Sequence, residues 1–409
     1  MKKVSLLVCL FTLLHLVVTA QSKKTSVTRW RATIQTKGGE LPFGLEVQPR
    51  AKQRYTVYIL NASERLQTDE ATLVGDSLVI PIAMFDAELV AKLTPTSMTG
   101  FYRRNKGRKT FAETTFSATL GYGYRFRTNR MAILGNVTGK WNARFTNPET
   151  QKTSTAVGTF QQKGTDVVGS FLTTTGDYRF LDGSMRGDSL FVSTFDGSNA
   201  YLLKAKVVGK KMTGTFYSGI KGIRSFEAEQ DDKAALPDLN KITFLKKGYD
   251  KVSFAFPDDK GNVVSLADPA LKDKVVVVQI LGSWCPNCMD EINYLVPFYQ
   301  QYKAKGVEII GLAYEKTLDT TFFRGKMNLL RKRLKVTYPL LQAGLNSSES
   351  ATESLPMLNQ VIGFPTSIII DKKGVVREIH TGFTGPGTGN YYTEWVKHFE
   401  GLIDTLVKE

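Results

Sequence analysis

One segment determines the architecture of the C-terminal part of the chain: Val275-Val276-Val277-Val278-Gln279-Ile280-Leu281-Gly282-Ser283-Trp284-Cys285-Pro286-Asn287-Cys288. Its continuous β-branched and apolar run over 275–281 is typical of a strand buried on both faces of a parallel sheet. After Cys288, apolar residues recur with helical spacing at 292, 295, 296, 299 and 302, which predicts a helix over 291–303. The two cysteines therefore stand where a buried strand passes into a helix.

The segments on either side of this junction alternate between strand and helix patterns. The strands predicted are a hairpin over 253–256 and 263–266, then 307–314, 366–371 and 375–380. The further helices predicted are 321–334 and 392–407. Such alternation is typical of an α/β layer structure. We therefore predict an α/β domain over residues 233–409.

The position of the two cysteines favours redox chemistry. Unpaired N–H groups and the positive end of the helix dipole stabilise a thiolate at Cys285. That thiolate can attack a disulfide, and Cys288, one turn later, can resolve the mixed disulfide. Pro286 suits the first helical position because its missing N–H would be unpaired there. The pattern predicts dithiol–disulfide exchange with no cofactor beyond a redox-active Cys285–Cys288 disulfide.

Other uses of two cysteines at this spacing have weaker support. A zinc site needs two more ligands, and beyond the N-terminal segment the histidines are His380 and His398, in a predicted strand and the last helix. A haem attachment site would have histidine after Cys288, where Met289 stands. We therefore predict no metal. An inert pair is the remaining alternative.

Further motifs follow the cysteines. Glu291 comes three residues after Cys288, and Gly363-Phe364-Pro365-Thr366-Ser367-Ile368-Ile369-Ile370-Asp371 precedes Lys373-Gly374. With these motifs, residues from about 241 to 409 resemble the TlpA and ResA type of the thioredoxin-like family, secreted enzymes that exchange thiols and disulfides. The resemblance covers about two-fifths of the chain and implies an α/β thioredoxin-like fold.

The resemblance also implies roles for six side chains: catalytic Cys285, Cys288 and Glu291, and substrate-binding Trp284, Phe364 and Pro365. Cys285 would be the nucleophile and Cys288 the resolving thiol. Pro365 would be a cis-proline that faces the cysteines and lines the partner-binding groove. Glu291 would tune proton transfer. The alternative for Glu291 is an exposed first-turn carboxylate favoured by the helix dipole.

Two positions depart from the family pattern. Gln279 stands where relatives tend to carry asparagine or a buried aspartate, so no carboxylate relay is expected from it. Asn293 replaces the usual helix-kinking proline, and the ring of Pro297 would clash with the carbonyl group of Asn293. We expect a displaced kink, which leaves the geometry of Glu291 open.

The region over about 25–230 has the pattern of short antiparallel strands, a barrel or a sandwich. Gly75-Asp76-Ser77-Leu78 recurs as Gly187-Asp188-Ser189-Leu190, and Met98-Thr99-Gly100 recurs as Met212-Thr213-Gly214. Trp30 and Trp141 precede the first landmark at nearly equal spacing. We predict two copies of one β unit, over 21–120 and 121–232, with a join near 110–135.

A linker is predicted after the second unit. Residues 227–233 are charged and lack apolar periodicity, and Pro237 follows. We expect this linker to be protease-sensitive and the two halves to fold independently.

The N-terminus has the pattern of a signal peptide over residues 1–20. Lys2 and Lys3 precede an apolar stretch, and cleavage is expected before Gln21. Cys9 lies within this peptide, so the mature chain keeps two cysteines, too close together to staple a fold. Loss of the two lysines lowers the net charge from +16 to +14. The basic clusters indicate a solvated surface, and we predict neither nucleic-acid binding nor stable membrane insertion.

These observations predict a secreted enzyme of a bacterial periplasm that exchanges thiols and disulfides with client proteins. The reducing direction is favoured, which requires an electron donor, expected to be membrane-bound. One alternative is a peroxide-reducing redoxin that forms a sulfenic acid. Another is a protein whose β region binds a client or envelope component, with an accessory redox domain.

Overall fold

The computed structural model describes residues 26–105, 110–121, 123–126 and 132–409. The predicted signal peptide, with Cys9, and part of the predicted join between the β units lie outside the described residues.

The first β unit is an antiparallel barrel. Its strands are β1 (Thr28–Thr36), β2 (Gly39–Pro49), β3 (Arg54–Asn61), β4 (Glu64–Gln67), β5 (Ala71–Val74), β6 (Ser77–Ile82), β7 (Ala87–Leu93), β8 (Ser97–Asn105) and β9 (Phe111–Leu120). The order is β2-β1-β9-β8-β7-β6-β5-β3-β4, and β2 also pairs with β3. This second pairing closes a ring of eight strands, with β4 attached at its rim. Closure leaves no long unpaired edge.

The second β unit repeats this topology. Its strands are β10 (Gly139–Thr146), β11 (Thr153–Lys163), β12 (Asp166–Thr173), β13 (Gly176–Asp177), β14 (Leu181–Arg186), β15 (Ser189–Phe195), β16 (Ala200–Val208), β17 (Lys211–Ser218) and β18 (Gly222–Gln230). The order is β11-β10-β18-β17-β16-β15-β14-β12-β13, closed by a β11–β12 pairing. Each strand matches the one nine places earlier, and the tryptophan landmarks fall in β1 and β10. The predicted duplication is confirmed, as a pair of barrels rather than sandwiches.

The predicted start of the linker is wrong. Residues 227–230 belong to β18, which pairs with both β10 and β17. Phe226 and Ala228 point into the barrel, whereas Glu227 and Glu229 point to solvent. A strand with one solvated face alternates apolar and polar residues. Because the polar positions here are charged, the segment has the composition of a linker although it forms a strand. The connection between barrel and C-terminal domain therefore begins at Asp231.

The C-terminal domain is thioredoxin-like. Its strands are β19 (Ala255–Pro257), β20 (Val263–Ser265), β21 (Val275–Leu281), β22 (Val307–Glu315), β23 (Leu340–Leu345), β24 (Thr366–Ile370) and β25 (Val376–Thr381). Its helices are α1 (Pro286–Tyr302), α2 (Thr320–Leu334), α3 (Ser348–Ser354) and α4 (Asn390–Lys408). The main sheet has the order β23-β22-β21-β24-β25, with β21 at its centre and buried throughout. Across the described ranges, no helix is long and apolar enough to cross a membrane.

Two elements of this domain were not predicted from the sequence. Strand β23 has no β-branched residue, and helix α3 is only seven residues long, too short for a periodic pattern. Both lie close to the cysteine junction, because Asn346, between them, and Ser348, the first residue of α3, line the same cleft as Cys285.

The two halves of the chain pack against each other, which the charged connection between them did not suggest. Buried apolar residues of the first barrel and of the thioredoxin-like domain form one continuous cluster. At this contact, Lys326 Nζ on α2 donates to the carbonyl oxygen of Ala83 at 3.2 Å and to Asp86 Oδ1 at 2.6 Å. Arg333 pairs with Asp69 at 2.9 Å in the same region. The first barrel and the thioredoxin-like domain therefore share a core and are joined by buried and half-buried ion pairs.

Candidate active site

Cys285 is the N-cap of α1, and Pro286 is the first residue of the helix. The Cys285 sulfur accepts a hydrogen bond from the backbone N–H of Cys288, with 3.2 Å between the nitrogen and Sγ. Helix N-termini carry unpaired N–H groups and partial positive charge, which stabilise a thiolate. Cys285 is 5% exposed and lines a cleft, whereas Cys288 is fully buried. Both cysteines are thiols in this structure.

The loop before β24 lies against the cysteines. The Phe364–Pro365 peptide bond is cis, and the Cys285 thiol lies 3.4 Å from the carbonyl oxygen of Phe364, to which it donates. The Trp284 ring meets Phe364 edge-on at 5.3 Å, and its indole N–H donates to the carbonyl oxygen of Tyr314 at 2.8 Å. Trp284, Phe364 and Pro365 are thus gathered around Cys285, as the sequence led us to expect.

Glu291 is 1% exposed, so the alternative of a solvated first-turn carboxylate is wrong. Its Oε2 accepts from Gln279 Nε2 at 2.6 Å, and its Oε1 accepts from Ser367 Oγ at 2.7 Å. Burial raises the pKa of Glu291 to about 7, although both hydrogen bonds act in the opposite direction. A carboxyl group with this pKa can hold or release a proton near neutral pH.

Gln279 can form a hydrogen bond with Glu291 in both its ionised and its protonated form. Its amide N–H₂ donates to the ionised carboxylate, whereas its Oε1 is buried without a hydrogen-bond partner. Rotation of the amide by half a turn would present that oxygen to a protonated Glu291. A neutral amide can therefore partner the carboxyl group in either state without itself exchanging a proton.

The Cys288 thiol stands in an environment that disfavours its ionised form. Burial raises the pKa of Cys288 well above its ordinary value, and the neighbouring Cys285 and Glu291 raise it further. Because Cys288 must be a thiolate to attack a mixed disulfide, it needs a proton acceptor within reach. Glu291 lies one helical turn away on α1, near enough for its charge to act on the Cys288 thiol.

A group of charges that the sequence did not indicate joins α1 to the barrels. The buried Arg179, which follows β13, pairs with Asp290 on α1, with Glu64 at 2.6 Å and with Asp196 at 3.5 Å. Burial raises the pKa of Asp290 to about 7, and Arg179 lowers it. Arg179 has φ of 58°, a left-handed conformation that costs energy in a residue with a side chain. An isolated arginine in a β repeat carries no sequence signal for this role.

The two histidines considered as zinc ligands form hydrogen bonds with residues other than the cysteines. His380 Nδ1 is bonded to Asn240 at 2.6 Å, and His398 pairs with Glu378 at 2.7 Å. Among the residues described, no cluster of three or more histidine, cysteine or acidic side chains is placed to hold a metal ion.

Comparison with known proteins places this site in a class. The redoxin family model matches residues 232–393. The chain is 32% identical over 136 residues to the thiol–disulfide oxidoreductase ResA of Bacillus thuringiensis, a match that covers 33% of this chain and 70% of that protein. It is 25% identical over 138 residues to ResA of Bacillus subtilis, covering 34% of this chain and 69% of that protein.

Among solved structures, a thiol:disulfide interchange protein from Chlorobium tepidum is 20% identical, with a TM-score of 0.30. The match covers 40% of this chain and 98% of that one. Fold, cysteine junction and sequence relatives together define a thioredoxin-like thiol–disulfide oxidoreductase. The chain belongs to the ResA family of these enzymes, through its C-terminal domain.

Proposed function

We propose that this enzyme is exported to a bacterial periplasm and reduces disulfides of client proteins through Cys285 and Cys288. The observation that carries the proposal is the asymmetry of the two thiols. Cys285 lines a cleft at the start of α1, where its sulfur accepts the N–H of Cys288, whereas Cys288 is fully buried behind it. An attacking thiol needs access, and a resolving thiol does not.

The proposed reaction transfers two electrons from the dithiol to the client. The Cys285 thiolate attacks one client sulfur, which forms a mixed disulfide and releases the other client sulfur as a thiolate. Glu291 then takes the proton of Cys288, and the new thiolate attacks the Cys285 sulfur. The Cys285–Cys288 disulfide forms, and the second client sulfur leaves and is protonated.

Turnover in the reducing direction requires a source of electrons. An oxidising compartment does not re-reduce the pair by itself, so we propose a membrane-bound electron donor as the second partner. The apolar N-terminal segment after Lys2 and Lys3 supports export. Cell fractionation and the N-terminal mass of the full-length product test this part: we expect a periplasmic protein that begins at Gln21.

Single-turnover kinetics test the chemistry and separate it from peroxide reduction. Reduced protein is mixed with insulin or with hydrogen peroxide, quenched with an alkylating reagent and analysed by mass spectrometry. We expect rapid conversion to the Cys285–Cys288 disulfide with insulin. Faster oxidation by peroxide than by insulin, through a sulfenic acid at Cys285, would instead support the peroxide-reducing alternative.

A further inference from the structure

The second barrel covers part of the active site. The turn between β12 and β13 rests on the first turn of α1, on the loop before β24 and on the loop after β25, and a glycine stands at each of these close contacts. Asn287 lies between the two cysteines in the sequence, and a Cβ atom on Gly176 would lie 1.9 Å from its Nδ2. A Cβ on Gly363 would lie 2.7 Å from Thr175 Cγ2, and one on Gly382 would lie 2.9 Å from the nitrogen of Gly176. No substrate can enter along these contacts.

What stays open is a cleft of about 360 Å³ between the second barrel and the cysteine junction. Tyr178, Asn199 and Tyr201 line one wall, Trp284 and Phe364 lie beside Cys285, and Asn346 and Ser348 belong to the remaining rim. Pockets for small ligands have volumes of about 300–1,000 Å³, whereas a standard protein interface buries about 800 Å² on each partner. The cleft therefore suits a slender substrate rather than a folded surface.

The lining favours an uncharged substrate. Aromatic rings and neutral polar groups predominate, and among the described lining residues none is lysine or arginine. The carboxylate of Asp177 is already occupied, because it accepts from the N–H groups of Gly385 and Arg179, both at 2.6 Å. Tyrosine and tryptophan faces pack well on peptide planes and apolar side chains.

The cleft wall formed by Tyr178, Asn199 and Tyr201 is connected to the cysteine helix by hydrogen bonds and ion pairs. Tyr201 donates to Asn199 Oδ1 at 3.0 Å, and Asn199 Nδ2 donates to Asp196 Oδ2 at 3.0 Å. Asp196 contacts Arg179, which pairs with Asp290 on α1. A wall tied to the cysteine helix in this way is organised before the substrate binds.

From these observations we infer that the second barrel forms half of the substrate site, and that this composite cleft admits an extended, uncharged polypeptide segment carrying the disulfide. This inference rests on the proposed function and specifies its substrate. Folded domains with buried disulfides are excluded, and anionic small disulfides such as oxidised glutathione react slowly.

Two full-length test variants and one matched control variant are compared by single-turnover oxidation of the reduced protein. The substrates are a disulfide formed by two short uncharged peptides and oxidised glutathione. Thr175→Trp narrows the cleft, so we expect the peptide rate constant to fall at least about tenfold. The matched Thr150→Trp, at an exposed turn of the same barrel outside the cleft, should leave it unchanged. Alkylation of Cys285 by iodoacetamide, a far smaller reagent than the peptide, monitors access to the thiol and should fall less in Thr175→Trp than the peptide rate constant does.

Asn346→Lys places a positive charge at the exposed rim of the cleft. We expect the rate constant for oxidised glutathione to rise roughly three- to tenfold relative to the peptide, an effect that declines with salt. If Thr175→Trp fails to fold, the glutathione-to-peptide ratio of Asn346→Lys tests the inference by itself.

Equal effects of the two tryptophan variants, or an unchanged glutathione-to-peptide ratio in Asn346→Lys, would overturn the inference while leaving disulfide reduction intact. A parent protein that reduces neither substrate nor insulin would instead refute the proposed function, and the inference with it.

Discussion

Replacement of Glu291 by glutamine should change the pH dependence of stability by an amount that follows from its burial. The ordinary pKa of a glutamate is 4.5, and burial raises that of Glu291 to about 7 in the folded protein. Between these values the unfolded chain releases the proton and the folded protein keeps it. The free energy of unfolding therefore falls as pH rises, by about 3 kcal/mol in total, and levels off above pH 7.

Glu291→Gln has nearly the same shape and cannot ionise. Its amide can still accept from Gln279 and bond to Ser367, so the fold should be kept. Urea unfolding at pH 4.5, 5.5, 6.5 and 7.5, with the cysteines reduced, gives the free energy for parent and variant. We expect the difference between their free energies of unfolding to change by about 3 kcal/mol across this range. The variant should become more stable relative to the parent as pH rises. Other titrating groups are common to both proteins and cancel.

The exposed Glu353 on α3 provides a matched control, because its carboxylate meets water in both states. Glu353→Gln should leave the difference flat. Parallel curves for Glu291→Gln and the parent would refute the assignment of a buried, proton-holding carboxyl group.

The same variant separates a proton-transfer role from a structural one. The charge of Glu291 contributes to raising the pKa of the Cys288 thiol, so its removal should lower that pKa. In the parent protein, the rate constant for resolving a mixed disulfide should rise as Glu291 ionises around pH 7. In Glu291→Gln this rise should be absent, because the proton acceptor is gone. Thiolate absorbance against pH and the rate of resolution measure the two effects. Superimposable titration curves and rates would reduce Glu291 to a packing residue.

The remaining predictions concern the contact between the barrels and the thioredoxin-like domain. Arg179→Met leaves several carboxyl groups without their cation and should lower the free energy of unfolding by about 3–5 kcal/mol, whereas loss of the exposed Lys92–Asp76 pair in Lys92→Met should leave the free energy of unfolding nearly unchanged. Urea curves measure both, and equal losses would contradict the role of the buried network. Trypsin should cut the connection at the exposed Lys233, and the two fragments should stay together on gel filtration because their cores are shared. Separate elution would show that the contact is weak.

The sequence predicted the thioredoxin-like part well because its signals are local. A continuous β-branched run, two cysteines and a helical stripe each specify an element and its place, and they identify Cys285 and Cys288 without further information. The repeated landmarks around Trp30 and Trp141 likewise revealed the duplication. These patterns lie within single strands and helices, where periodicity reports burial directly.

What the sequence missed depends on distant contacts. The environment of Glu291 on α1 is set by Gln279 on β21 and Ser367 on β24. Its position in the helix alone was therefore as consistent with an exposed side chain as with a buried one. The cover over the active site depends on the contact of Gly176 and Asp177 with Asn287, more than a hundred residues later in the chain. The link through Arg179 is equally non-local. Such contacts follow from how the barrels dock, and no local pattern encodes docking.

The proposed reaction requires Cys285 to attack the client disulfide and Cys288 to resolve the mixed disulfide. Its most direct test is trapping with reduced full-length Cys288→Ser, incubated with insulin, quenched by acid and mapped by mass spectrometry. We predict a stable mixed disulfide on Cys285, and no adduct in Cys285→Ser under the same conditions. An adduct on Cys288 in Cys285→Ser that forms as fast, or no adduct in Cys288→Ser, would contradict the account.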